Sequence, residues 1–122
     1  MTILLVEDDA AIRSMIAEVL ADEGYQVLTA EHGQAALDLL RRTRPLPSLI
    51  LLDLMMPVMT GWVFRQAQLC DPNLASIPVV ALSAMNNAEE RAYDLGAEMA
   101  LAKPLCLDSL LATVAYYDQP DW

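Results

Sequence analysis

The chain has 122 residues, 56% of them hydrophobic and 20% charged, which is the size and composition of one globular domain. A disordered tail or a fibrous repeat would be poorer in apolar residues. Seventeen acidic residues against seven basic ones leave a formal net charge of −10, which argues against nucleic acid or an anionic membrane as a direct partner.

The sequence opens Met1-Thr2-Ile3 and runs straight into an apolar segment. It shows no basic leader, no cleavage site and no apolar stretch of about 18 residues, so the expectation is a cytoplasmic protein. Cys70 and Cys106 stand far apart, in no metal-type spacing. They read as small apolar side chains near a helix end and a helix start in a reducing cytosol.

Five short apolar runs, at 3–6, 25–29, 49–52, 79–82 and 99–102, alternate with longer segments. Three of the runs are almost continuously apolar, the pattern of parallel strands covered on both faces. Between the first two, Ile12, Met15, Ile16, Val19 and Leu20 recur at helical spacing, with Arg13, Glu18 and Asp22 on the other side. Asp9 stands where a helix needs an N-cap, and Gly24 where its end needs a left-handed residue.

Pro45 and Pro47 close a second helix, and Asp71-Pro72-Asn73 a third. A fourth helix is predicted over 88–95, lightly packed because its inward candidates are mostly alanines. Leu107, Leu110, Leu111 and Val114 repeat the helical spacing near the end. Strands separated by such helices imply right-handed βαβ units and an open, doubly wound parallel α/β sheet with helices on both faces. The whole chain, 1–122, is then a single domain with no output domain after it.

Ligands of such sheets bind at the carboxyl ends of the strands. Glu7, Asp8 and Asp9 follow the first strand, Asp53 ends the third, Ser83 the fourth, and Lys103-Pro104 the fifth. Three carboxylates converging there repel, each pair at ~4 Å costing about 1–4 kcal/mol. Oxygen donors without histidine or thiolate select a hard cation, and a loose carboxylate set suits Mg²⁺. Lys103 is the only lysine of the chain and stands opposite those acids. It reads as an ammonium for a phosphoryl oxygen or for Asp53, with the Ser83 hydroxyl as a second donor. Lys103-Pro104 is also a candidate cis bond. A carboxylate nucleophile beside a divalent cation, an ammonium and a hydroxyl is equipment for an acyl phosphate.

Taken together, Glu7-Asp8, Leu52-Asp53-Leu54-Met55-Met56-Pro57 with Gly61, Ser83-Ala84 and Lys103-Pro104 resemble the receiver domain of two-component response regulators over essentially the whole chain. The resemblance implies a flavodoxin-like five-stranded sheet of order 2-1-3-4-5. It implies Asp53 as phosphoacceptor, Asp8 as direct Mg²⁺ ligand, Glu7 acting through a bound water and Met55 giving its backbone carbonyl. Ser83 would be the switch hydroxyl and Lys103 the phosphoryl-binding cation, with Ala84 and Pro104 beside them. The implied partners are a histidine kinase or phosphotransfer protein and a downstream protein target, with a phosphorylation-linked homodimer as a further outcome.

Four positions depart from that pattern. Ala100 stands where a switch aromatic is usual, Leu105 where phenylalanine is frequent, and Met55 and Met85 where polar residues flank the site. The first puts the usual coupling of ring to hydroxyl in doubt. The last two suggest a long-lived phosphoryl group. A haloacid-dehalogenase-like enzyme would need an aspartate at position 55, and a nucleotide or flavin module would need a phosphate-cradling glycine loop. A partner-binding pseudo-receiver, or a phosphorelay intermediate, is the alternative. Among the remaining residues, His32 reads as a lone surface histidine, Trp62 as packing of the third helix, and Tyr116, Tyr117 and Trp122 as an aromatic end.

Overall fold

The computed structural model describes residues 1–54, 59–83, 97, 99–102 and 106–118. Strands β1 (Thr2–Val6), β2 (Gln26–Ala30), β3 (Leu49–Asp53), β4 (Val79–Ser83) and β5 (Met99–Ala102) form one parallel sheet in the order β2-β1-β3-β4-β5. Among the described residues, four helices join or follow them: α1 (Ala10–Asp22), α2 (Gly33–Arg42), α3 (Gly61–Leu69) and α4 (Leu107–Tyr117).

Alternation along the strands builds a core on each face. Leu4, Val6, Ile50, Leu52, Val79 and Ala81 pack with Ala36, Leu37 and Leu40 of α2 and Phe64 of α3. Ile3, Leu5, Leu49, Leu51, Val80 and Leu82 pack with Ile16 and Leu20 of α1 and Leu110 and Val114 of α4. With each buried Leu, Ile or Val worth about 1.5–3 kcal/mol of transfer free energy, both faces must be covered at once. The near-continuous apolar runs follow from that requirement.

The sheet order, the parallel pairing and the placement of helices agree with the sequence expectation. Several boundaries differ. The strand expected at 25–29 is Gln26–Ala30, one residue later. The reason is the end of α1, where Gly24 at φ 95° donates to the Ala21 carbonyl and Tyr25 N–H returns to that of Leu20. That 6→1 and 5→2 pair closes the helix and keeps Tyr25 out of the strand. Met15 and Leu107, expected inside, are 43% and 41% exposed. Met15 lies to one side of the Ile16–Leu20 stripe, and Leu107 is the first residue of its helix, one turn before the packed Leu110.

The predicted helix over 88–95 lies outside the described residues, as do Met55, Met56, Pro57, Ala84, Met85, Lys103, Pro104, Leu105 and Trp122. The cis bond expected at Lys103-Pro104 falls there too. A cis bond occurs at Arg44-Pro45, between α2 and β3.

Candidate functional site

Parallel register decides what meets at the carboxyl edge. Val6 pairs with Ala30 on one side and Leu52 on the other, Asp53 pairs with Leu82, and Ser83 with Ala102. Glu7, the residue after Val6, therefore reaches the same level as Asp53, the residue after Leu52. One carboxylate oxygen from each of Glu7, Asp8 and Asp53 lies within 4.8 Å of the other two. Glu7 is fully buried and Asp53 is 3% exposed, while Asp8 faces solvent.

Three carboxylates of which two are buried fit a hard cation. Burial of neighbouring like charges is costly without positive charge beside them, and the all-oxygen donor set matches Mg²⁺ rather than a softer metal. Asp8 is the member of the cluster that is exposed to solvent.

The loop between β1 and α1 is held at several points. Glu7 N–H donates to the Ala30 carbonyl at 3.1 Å, and Asp9 N–H to Glu7 Oε1 at 3.3 Å. Asp9 caps α1, its Oδ1 accepting from Ala11 N–H at 2.9 Å and Ile12 N–H at 3.0 Å, as the sequence expects of that position. Arg13, read from sequence as part of a solvated face, instead turns back, its Nη1 donating to the Glu7 carbonyl at 2.9 Å.

On the other flank, Thr60 caps α3 and Gly61 N–H donates to the Leu54 carbonyl at 3.1 Å. Ser83 closes β4 opposite Ala102, the residue before Lys103 in sequence. Ala100 pairs with Ala81 and packs on the core shared with α2 and α3, so a methyl group stands where the aromatic was missed.

The minor candidates resolve differently. His32 is no bystander: its Nδ1 accepts from Ala35 N–H at 3.1 Å and caps α2. Trp62 packs against the core, as expected. Cys70 and Cys106 do sit at the end of α3 and the start of α4, yet both are exposed rather than buried apolar groups. Tyr116 and Tyr117 belong to the last turn of α4, their rings edge to face at 5.1 Å. Sequence patterning gave no hint of Gln68, a fully buried amide whose Nε2 donates to the Leu74 and Ile77 carbonyls at 2.9 and 3.0 Å. Among the described residues, no helix is long and apolar enough to cross a membrane.

Residues 3–115 match the response regulator receiver domain family. The chain is 39% identical over 113 residues to the response regulator MprA of Mycolicibacterium vanbaalenii, covering 90% of this chain and 47% of that protein. It is 34% identical over 116 residues to sporulation initiation phosphotransferase F of Bacillus subtilis, covering 94% of this chain and 91% of that one. The chain thus spans about half the length of the MprA proteins it matches and nearly all of the second relative. In structure it is similar to the chemotaxis response regulator CheY4 of Vibrio cholerae, with a TM-score of 0.85, 32% identity, and coverage of 95% and 97% of the two chains.

Proposed function

The chain belongs to the response regulator receiver domain family, a family of regulatory domains, and from that premise we propose that it accepts a phosphoryl group on Asp53. What supports this reading is the meeting of Glu7, Asp8 and Asp53 at the carboxyl edge of the sheet, with one member open to solvent. The donor is the phosphohistidine of a histidine kinase or phosphotransfer protein. An Asp53 carboxylate oxygen attacks phosphorus, the P–N bond breaks with its electron pair left on the imidazole nitrogen, and a mixed carboxylic–phosphoric anhydride results.

Asp8 and Asp53 would hold Mg²⁺ through their carboxylates, Met55 through its backbone carbonyl and Glu7 through a water. The bound ion offsets charge on the phosphoryl oxygens. Ser83 and Lys103 are assigned the hydroxyl and ammonium that hold the remaining oxygens, with Ala84 and Pro104 beside them in sequence. The product is a changed protein surface rather than a released compound. Its reader is a downstream protein or a second copy of the chain.

Incubation with acetyl phosphate and Mg²⁺, followed by intact mass and peptide mapping, tests the assignment. One phosphoryl group on Asp53 is expected, and none on Asp53→Asn. Modification that survives EDTA, or that maps elsewhere, refutes it.

A further inference from the structure

The structure assigns Arg13 as a positioning residue for the acidic loop, one that sets Mg²⁺ affinity without touching the ion; the inference rests on the phosphoacceptor reading above. Its guanidinium Nη1 donates to the backbone carbonyl of Glu7 at 2.9 Å. That carbonyl belongs to the peptide plane joining Glu7 to Asp8, the two residues whose carboxylates stand with Asp53. A planar peptide moves as one body, so anchoring its oxygen also orients the Asp8 Cα.

The neighbouring plane is already pinned, because Glu7 N–H donates to the Ala30 carbonyl at 3.1 Å. Asp9 is pinned by its own cap on α1 and by the bond from its N–H to Glu7 Oε1. Asp8 is exposed, and its carboxylate takes its direction from the backbone it hangs on. The Arg13 contact thus anchors the Glu7–Asp8 plane from the carbonyl side.

Arg13 is itself held where it can do this. It lies in the first turn of α1, its N–H closing that turn on the Asp9 carbonyl at 2.8 Å. A cleft of about 260 Å³ lined by Arg13, Thr29, Ala30, Glu31 and Ala35 runs past it. Glu31 lines that cleft as well, yet the guanidinium hydrogen bond goes to the loop carbonyl. A charge-assisted bond to a carbonyl is stronger than a neutral one and carries geometry with it.

The test is titration of the full chain with MgCl₂, followed through the backbone amide NMR signals of Glu7, Asp8 and Asp53. Groups that orient metal ligands are worth about 10–100-fold in affinity, so Arg13→Ala should weaken Mg²⁺ binding by about tenfold. Arg13→Lys, which keeps a charged donor, should recover most of that loss. Phosphorylation of Arg13→Ala by acetyl phosphate should return close to the wild-type rate at saturating Mg²⁺, because Asp53 sits on β3 and not on the loop.

Arg13→Met keeps the aliphatic stem and carries the same test if Arg13→Ala does not fold. Wild-type affinity in Arg13→Ala overturns the inference, and so does an Arg13→Lys variant as weak as Arg13→Ala. Absence of any Mg²⁺ response in the wild type would overturn the phosphoacceptor reading as well, whereas a normal wild-type response with an unaffected Arg13→Ala removes only the positioning role.

Discussion

Gly61 stands directly against the end of β3: a Cβ added to it would lie 3.0 Å from the carbonyl oxygen of Asp53 and 2.8 Å from the Cα of Leu54. Both are backbone atoms, one of the last residue of the strand that carries the candidate phosphoacceptor and one of the residue after it, so neither can yield as a flexible side chain would. Gly61 N–H also bonds the Leu54 carbonyl, which ties the start of α3 to this strand end. Gly61→Ala should therefore push Asp53 from its place and cost about 1–3 kcal/mol by overpacking. Thermal melting and the rate of acetyl phosphate labelling should both fall. A variant that melts and labels like the wild type would show that the strand end gives way freely.

Asp8 offers a second measurement, because it is the solvent-facing member of the acidic cluster. In EDTA, Asp8→Asn should match or exceed wild-type stability by up to about 1 kcal/mol, the size of a like-charge contact near the surface. In the wild type, Mg²⁺ at ten times its Kd should add about 1.4 kcal/mol, and in Asp8→Asn that increment should vanish. Melting curves with and without Mg²⁺ distinguish these outcomes.

Gln68 carries the opposite expectation. Its amide satisfies the Leu74 and Ile77 carbonyls, and its Oε1 accepts from Arg65 Nη1 at 2.7 Å. Gln68→Leu leaves two carbonyls of the α3–β4 connection without this donor and should cost about 2–4 kcal/mol. Urea unfolding checks the value, and Mg²⁺ binding should be unchanged.

Cys106 sits at the N-terminus of α4, where the Ser109 N–H and hydroxyl and the Asp108 N–H favour the thiolate and hold its thiol below the usual range. Thiolate is the reactive form, so iodoacetamide near neutral pH should label Cys106 faster than an ordinary exposed cysteine of a short peptide. Ser109→Ala removes the hydroxyl and should slow the reaction, though not abolish it, because the backbone contribution stays.

The lifetime of the phosphoryl group tests the two methionines of the pattern. Hydrolysis needs a water held in line with phosphorus, and a thioether orients water poorly. Each orienting contact worth ~1.4 kcal/mol changes the rate about tenfold. Phospho-Asp53 should persist for many minutes to hours, and Met55→Asn or Met85→Glu should shorten that. Decay within seconds in the wild type would contradict the argument.

The sequence by itself determined the layers of this protein. Near-continuous apolar runs such as Leu49 to Leu52 can be satisfied only by a sheet covered on both faces. Asp9 and Gly24 announced the two ends of α1, since capping chemistry is local and leaves its mark in a few neighbouring residues. Polar residues emerging from apolar runs placed Glu7, Asp8 and Asp53 at one edge, because parallel strands share a direction.

Tertiary structure decided what depends on distance rather than on spacing. The role of Arg13 needed the turn from β1 into α1, which folds a guanidinium back on a carbonyl six residues earlier. Gln68 needed the α3–β4 connection to close over it, and Gly61 needed the approach of α3 to β3. His32 looked idle because a histidine cap uses a ring nitrogen that no polar pattern distinguishes. Hydrophobic periodicity records which face is buried, whereas a hydrogen bond between segments depends on where two backbones come to lie, and that is settled only when the core packs.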